Sequence, residues 1–337
     1  MRYRFQFRRY RLPFRAVVRT AHGPWSEREG VIIRLEAEDG RVGFGEAAPI
    51  PWFGTESVDQ VEIGCKTLGE WVEAGMLDAV PPSIGCLRNA ISVARGELSR
   101  GASAVAVPDL GVAALLPAGQ AALADLPPKA DAGFRFFKWK VGVGEIDEEL
   151  GLLDDLCGTL PDGAKLRLDA NGAWDRRKAS KWLERCADRP VEFVEQPIAA
   201  DARGAQDLLM GLAGDFPTAI GLDESLVVDG DVERWLGLGW SGVFIVKPSL
   251  LSDRASAVSR LAAAKAEVVF SSALETAIGA RAALRTAFEW PGTRRALGFG
   301  VWPLFAESTF DGPYAMPFCS RAEVERIKPE TVWNALN

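Results

Sequence analysis

Five ionisable groups recur at one place in the chain's rhythm: each follows a short apolar run. The runs end in Lys138-Trp139-Lys140, Asp169-Ala170-Asn171, Glu195-Gln196-Pro197, Asp223-Glu224-Ser225 and Lys247-Pro248-Ser249, and a further run ends in Ser271-Ser272. One such charge reads most simply as a strand terminus meeting solvent. Five in succession, on parallel strands, would converge on one end of a sheet, where unpaired charges in a partly dry site are costly. Asp169, Glu195 and Asp223 would come from three neighbouring strands. Three carboxylates suit a hard, oxygen-seeking cation, Mg²⁺ first and Mn²⁺ as its substitute. No His or Cys ends a run, which disfavours zinc. Lys138 and Lys140, two residues apart, share one strand face, and Lys247 lies two runs beyond Glu195. A lysine is a base only when its pKa falls well below about 10.4, and nearby cations lower it; Lys138 beside Lys140, with a metal close by, is such a setting. A cation also stabilises the enediolate formed when a proton leaves the carbon next to a carboxylate. The pattern predicts α-proton abstraction from a carboxylic acid.

Such groups need elements that bring strand ends together. From about residue 105, apolar runs at 112–116, 134–141, 165–170, 191–195, 219–223, 242–246, 267–271 and 296–301 alternate with helical stretches. That alternation predicts parallel strands with crossover helices. Eight of them within about 200 residues favour a closed barrel over an open doubly wound sheet. Gly142-Val143-Gly144 comes too late and lacks the third glycine of a dinucleotide turn. Upstream, residues 3–9, 30–38 and 42–47 read as an antiparallel meander, with a polar break at 22–26 and a turn at Asp39-Gly40. Residues 57–102 read as helices, with Trp71 and Val72 counted among their apolar positions. After 303 the rhythm is lost among Pro303, Pro313, Pro317 and Pro329, and this tail is expected to pack back on the N-terminal unit. The expected division is 1–104, 105–302 and 303–337.

The 337 residues accommodate a barrel with a smaller partner, and 48% hydrophobic with 25% charged residues is an ordinary globular composition. A net charge of −7 argues against nucleic acid, because phosphates would be repelled. The arginine-rich stretch 2–15 alternates with apolar residues and reads as an edge strand with a polar face. The five cysteines form no CxxC pair, as free thiols in a reducing cytosol would not. No apolar run approaches the roughly 18 residues of a membrane span, and the N-terminus lacks a signal-peptide core. The expectation is a cytoplasmic protein with a small-molecule carboxylate as partner, no nucleic acid and no membrane; monomer and homo-oligomer both stay open.

Taken together, Lys138-x-Lys140, Asp169-Ala-Asn171-Gly-x-Trp174, Glu195-Gln-Pro197, Asp223-Glu-Ser225 and Lys247-Pro248 resemble the enolase superfamily in its muconate-lactonising branch. Gly43-Phe-Gly45-Glu46-Ala47-Ala48-Pro49 is similar to that family's capping domain, so the resemblance spans nearly the whole chain. It implies an α/β fold: a modified (β/α)7β TIM-like barrel with an α+β capping domain built from both termini. It implies Asp169, Glu195 and Asp223 as metal ligands, with Glu224, one residue out of phase, pointing away. Lys140 would take the proton, Lys138 beside it, and Lys247 would stand as a cation over the other face of the substrate. Asn171 would have a polar site role, Arg167 would act as a counter-ion deeper in the barrel, and Glu46 would support a loop or the domain contact.

Within the branch, residues 45–54 and Ser271-Ser272-Ala-Leu274-Glu275-Thr276 resemble the family that dehydrates a succinylated hydroxycyclohexadiene carboxylate in menaquinone or phylloquinone synthesis. That resemblance implies loss of the β-hydroxyl as water after proton abstraction. It also implies that Ser271 and Ser272 bind a substrate carboxylate through hydroxyl or backbone N–H. His22, the only histidine, reads first as a loop residue; the functional alternative is that residues 18–30 form a lid, with Arg19, His22 or Trp25 on the substrate. Related members racemise N-acylamino acids or epimerise dipeptides with the same residues, and these are the alternatives. The stretch Gly298-Phe-Gly300-Val301-Trp302-Pro303 lacks the acids with which dipeptide epimerases hold an amine. A non-catalytic small-molecule-binding barrel is the remote alternative, opposed by the lysines on both faces.

Overall fold

The computed structural model describes residues 2–20, 22–99 and 107–336. The N-terminal unit contains β1 (Arg2–Thr20), β2 (Gly23–Ala37), β3 (Val42–Ala47) and β4 (Trp71–Glu73), antiparallel in the order β3-β2-β1-β4. Two expectations change here. β1 is 19 residues long, far beyond 3–9, and the expected break at 22–26 is confined to the turn at His22, with Gly23–Ser26 already in β2. The polar residues are spent across the hairpin: Arg11 pairs with Glu27 at 2.7 Å, and the ladder resumes at Val18–Trp25 after a register shift. Trp71 and Val72 are not helical. They form the edge strand β4 on Arg2–Arg4 of β1, with Arg2 lying over the Trp71 ring at 5.0 Å.

Three helices follow or flank this sheet: α1 (Val58–Leu68), α2 (Ala74–Asp78) and α3 (Gly85–Ser99). α1 starts at a capping box in which Ser57 and Gln60 bond each other's backbone. α3 lies flat on β3 because Gly43 and Gly45 have no side chain on that face; a Cβ at either would collide with the carbonyl oxygens of Ala94 and Ala90.

Beyond β5 (Leu110–Gly111), seven strands form one parallel sheet in sequential order: β6 (Ala114–Leu116), β7 (Phe136–Lys140), β8 (Lys165–Asp169), β9 (Val191–Glu195), β10 (Ile220–Leu222), β11 (Val243–Val246) and β12 (Glu267–Phe270). Between and after them run α4 (Ala121–Asp131), α5 (Ile146–Thr159), α6 (Arg176–Cys186), α7 (Ala205–Asp215), α8 (Asp229–Gly237), α9 (Arg254–Ala263) and α10 (Ala277–Glu289). The eighth run, 296–301, is not a regular strand. It makes single parallel bridges, Leu297 to Val112 and Gly298 to Ser271, and these close the ring between β12 and β6. Gly298 and Gly300 allow that approach, since a Cβ would strike the Ser271 hydroxyl at 2.6 Å in the first case and the Ala113 carbonyl in the second.

The chain ends in β13 (Phe318–Cys319), paired with β5, then α11 (Arg321–Arg326) and α12 (Pro329–Ala335). Arg8 of the N-terminal sheet donates to the carbonyl of Trp333 at 2.5 Å, and the Trp333 ring lies 6.0 Å from Phe44, so the tail touches the first unit.

The layer behind β7 matters for the site. Trp139 is fully buried on the face opposite Lys138 and Lys140, edge-on to Trp182 at 6.4 Å, and Trp182 stacks on Trp174 at 5.0 Å. Trp182→Ala should therefore cost about 3–5 kcal/mol of folding stability, the usual toll of emptying a buried aromatic site. Urea unfolding of the variant measures this; a loss below about 1 kcal/mol would mean that the layer collapses without the ring.

Candidate active site

The parallel register sets the polar groups side by side. Lys140 pairs with Asp169 across β7 and β8, and Asp169 with Glu195 across β8 and β9. Asp223, Lys247 and Ser271 follow directly on β10, β11 and β12. Their side chains surround a cavity of about 310 Å³ at the C-terminal ends of the strands. Of the residues singled out in the sequence, Lys138, Lys140, Asp169, Asn171, Asp223, Lys247, Ser271, Ser272, Arg19 and His22 all line it. Glu195 lies just beneath, 2% exposed.

The hairpin tip of β1 and β2 and the turn at Pro51–Phe53 form the roof. Trp25 meets Trp52 edge-on at 4.7 Å, and the His22 ring lies 6.4 Å from Trp52. Phe53 reaches Lys247, whose Nζ sits 5.1 Å from the ring centre. Trp52 and Phe53 are site residues that periodicity alone does not reveal; their only signal is an aromatic pair in a proline-led turn after the Gly45-Glu46 motif.

The lysines divide into distinct states. Lys138 Nζ lies 2.8 Å from Asp169 Oδ2 and 2.7 Å from Glu195 Oε1. Burial works against its charge, but the two carboxylates outweigh burial and raise its pKa above the ordinary lysine value. The carboxylates thus favour its charged form, the positive neighbour expected beside Lys140. Lys247 is bonded to Asp223, yet burial pushes its pKa down to about 8. Lys140 Nζ donates to the Arg19 carbonyl at 3.2 Å, which ties this lysine to the roof hairpin.

Burial first, then the charge of Asp169, raises the pKa of Glu195. Among the described residues no three acids, histidines or cysteines are gathered into a metal-holding group; the ammonium groups of Lys138 and Lys247 lie against the carboxylates instead. The donor set still fits a hard cation: three buried carboxylates with no nitrogen or sulfur, where positive charge would offset the push of Asp169 on Glu195.

Two expectations about neighbouring residues are corrected. Glu224 does not point away. It lines the cavity and accepts from Asn171 Nδ2 at 3.1 Å, and burial lifts its pKa to about 7. Asn171 has φ 43° and a backbone N–H bonded to Asp169 Oδ1 at 3.1 Å, a tight turn from which its side-chain amide meets Glu224. Arg167 is not a counter-ion for the site. It pairs with Glu192 at 2.6 Å, and Arg295 joins the same Glu192, so this network belongs to the other end of the strands. Gln196 is a further residue whose role the sequence did not disclose. Fully buried, it accepts from the backbone N–H of Asp223 and Ser225 and donates to Ser225 Oγ, locking the β9 end to the β10 end.

The serine turn is internally satisfied. Ser271 Oγ donates to the Gly298 carbonyl at 3.2 Å, and Ser272 Oγ donates to Glu275 Oε2 at 3.0 Å while accepting from Leu274 N–H. Glu275 is fully buried, and burial raises its pKa from 4.5 to about 7. The raised folded value means that Glu275 contributes stability that is complete below about pH 4.5 and is lost as pH rises through about 7. Unfolding free energy of Glu275→Gln should lack the corresponding slope between pH 5 and 7, which is at most about 1.4 kcal/mol per pH unit for one proton. Parallel profiles for variant and wild type would show that Glu275 stays ionised in the fold.

Comparison with known proteins agrees with this architecture. Residues 1–98 match the family model "MenC, N-terminal domain", and residues 122–317 match "Enolase C-terminal domain-like". An o-succinylbenzoate synthase of Thermosynechococcus vestitus is 39% identical over 303 residues, 88% of this chain and 92% of that one. The crystal structure of o-succinylbenzoate synthase from Thermosynechococcus elongatus BP-1, complexed with Mg in the active site, superposes with a TM-score of 0.84 at 36% identity, covering 99% of this chain and 100% of that one. The L-Ala-D/L-Glu epimerase of Bacillus subtilis shares the fold, with a TM-score of 0.78 at 20% identity over 94% of this chain and 96% of that one. Among the described residues no helix is long and apolar enough to cross a membrane. By sequence and by fold, the chain belongs to the o-succinylbenzoate synthase family of the enolase superfamily.

Proposed function

We propose that this protein is an o-succinylbenzoate synthase, a hydro-lyase that dehydrates a succinylated hydroxycyclohexadiene carboxylate on the route to menaquinone or phylloquinone. The observation that carries the reading is one cavity in which Lys140 and Lys247, at the ends of strands four places apart in the sheet, flank Asp169 and Asp223, with Glu195 buried beneath. Asp169, Glu195 and Asp223 would hold Mg²⁺, or Mn²⁺ in its place. When bound, the cation would offset the negative charge that grows on the substrate carboxylate as the α-proton leaves.

The chain's own groups do the rest. Lys140 Nζ takes the proton from the carbon next to the carboxylate. The electron pair left behind forms the new double bond, and the bond from the β-carbon to its hydroxyl breaks. The proton held by Lys140 joins the departing hydroxide, so water leaves and no oxidation occurs. Lys247 faces the anion from the other side as a cation. Lys138 stays protonated between Asp169 and Glu195 and keeps that pair at an energy the fold tolerates. Asn171, Ser271, Ser272, Arg19 and His22 shape the substrate's polar surroundings. Val18, Trp25, Trp52, Phe53 and Leu116 provide an apolar wall that suits a ring and excludes water. The domain division we assign is 1–104 and 303–337 for the cap and 105–302 for the barrel. The place of action we assign is the cytosol, on the five scattered cysteines.

Purified protein with Mg²⁺ is tested on the hydroxycyclohexadiene substrate and on N-succinylamino acids. Dehydration should dominate by kcat/KM; preference for racemising the amino acids would replace this reading with the racemase.

A further inference from the structure

The Gly43-Phe-Gly45-Glu46 motif and the fully buried Arg28 play no part in the chemistry above, yet both reach across from the N-terminal sheet into the barrel. Gly43 and Gly45 seat β3 against α3, and the residue between this contact and the barrel is Glu46. Its carboxylate is completely used. Oε1 accepts from Tyr10 OH at 2.6 Å and from Thr276 N–H at 2.9 Å, and Oε2 accepts from Thr276 Oγ1 at 2.5 Å and Gly279 N–H at 2.8 Å. Three of these four donors belong to the cap residue Thr276 and the first turn of α10, so an acid from the capping sheet serves as the anion at a barrel helix's N-terminus. Gly279 allows this, because a Cβ there would lie 2.9 Å from Glu46 Oε2.

Arg28 works on the preceding residues. Its Nε donates to the Leu274 carbonyl at 3.2 Å and its Nη2 to the Ala273 carbonyl at 3.3 Å. On the other side it donates to Pro49 O at 2.8 Å, Glu29 O at 3.1 Å and Ala48 O, all in its own unit. The guanidinium is thus a fork of carbonyl bonds spanning the two units, with its face 5.1 Å from the Trp25 ring. Between the two anchors, Leu274 has φ 59°, a left-handed conformation that a leucine adopts only when its surroundings hold it there. Ser271, Ser272, Ala273 and Leu274 form one wall of the cavity.

We propose that Arg28 and Glu46 are positioning residues for the reaction: bonds from the capping sheet to Ala273, Leu274, Thr276 and Gly279 fix the 271–276 wall in its substrate-binding shape. Domain docking and wall geometry are then one structural event, and the two residues act on substrate binding without touching substrate. The lysines and carboxylates sit on β7 to β11, which neither residue contacts, so the chemical step should be spared. The inference rests on the reading of this cavity as the active site.

The test uses Arg28→Lys and Glu46→Gln in the full chain, with two readouts. The first is amide hydrogen exchange, which does not depend on any substrate. Exchange at Ala273, Leu274 and Thr276 should accelerate by about tenfold or more, as expected for losing a buried charge-assisted bond, while β7 and β8 stay protected. The second is steady-state dehydration, where KM should rise about tenfold with kcat within about threefold. Faster exchange with unchanged KM overturns the proposal and leaves a purely structural latch, and so does unchanged exchange. A fall in kcat equal to the rise in KM also overturns it. If the wild type shows no dehydration, the functional reading fails separately, and the exchange result still decides whether the capping sheet holds the wall. Should either variant fail to fold, Thr276→Val keeps the backbone bond to Glu46 and removes the hydroxyl bond to it together with the cap bond from Ile278 N–H, and the same two readouts apply.

Discussion

Lys140→Ala should lower kcat by about 10³–10⁴-fold, the range a positioned general base supplies, with little change in melting temperature. The reasons are local. Among the described residues Lys140 makes one hydrogen bond, to the Arg19 carbonyl, and pairs with no carboxylate at salt-bridge distance, so its removal leaves no buried charge there without a partner. Lys138→Ala is the contrasting case. It would strip the cation from Asp169 and Glu195, which lie 2.8 and 2.7 Å from its Nζ, and should destabilise the fold as well as the reaction. Exchange of the substrate's α-proton with solvent deuterium is the sharper measurement. It should vanish in Lys140→Ala and persist, at a lower rate, in Lys247→Ala if Lys247 acts only as a cation. Persistent exchange in Lys140→Ala with loss in Lys247→Ala would reverse the two assignments.

Glu195→Gln should reduce turnover by roughly 10³-fold or more, because several kcal/mol of charge stabilisation would be lost with the cation. Glu195 is the deepest of the three carboxylates, 2% exposed, and its amide replacement cannot supply the charge that a hard cation seeks. Chelation of the wild type should give the same loss, reversed by added Mg²⁺ or Mn²⁺. Titration calorimetry should show Mg²⁺ binding to the wild type and none to Glu195→Gln at the same concentrations. Full turnover after exhaustive chelation would remove Asp169, Glu195 and Asp223 from the ligand role. Melting of Glu195→Gln in the absence of metal provides a check on the geometry. Lys138 keeps Asp169 but loses one of its two carboxylates, so the variant should be less stable in proportion to that lost bond, about 1.5–3 kcal/mol.

The site was legible to the extent that period-2 strands repeat. Once Lys140, Asp169, Glu195, Asp223 and Lys247 are recognised as ends of parallel strands, their convergence follows from the topology, and the register pairs Lys140–Asp169 and Asp169–Glu195 bear this out. Glu224 was misread because alternation says only which face a residue leaves from. After β10 the chain turns, with Leu226 N–H bonded to the Asp223 carbonyl at 2.9 Å, and the Glu224 carboxylate meets Asn171 Nδ2, a partner from another strand end. Trp71 was misread for a related reason: two apolar residues in helical spacing also suit a short edge strand, and the partner strand β1 is far away in sequence.

Residue types and their spacing determined that strands and helices alternate, that three acids and the lysines meet, and that oxygen-loving metal chemistry suits them. These are local properties: they depend on side-chain chemistry and on a repeat that each strand carries by itself. The tertiary structure alone decided which lysine is pinned and which is not. Lys138 and Lys140 are identical in type and two residues apart, yet one lies between two carboxylates and the other reaches a carbonyl of the roof hairpin. The same holds for the roof, the Arg28–Glu46 clamp and the closure by Leu297 and Gly298. Arg28 to Leu274, Glu46 to Thr276 and Leu297 to Val112 each join segments more than a hundred residues apart, and the free energy of such a contact depends on burial and partners that no window of the sequence contains.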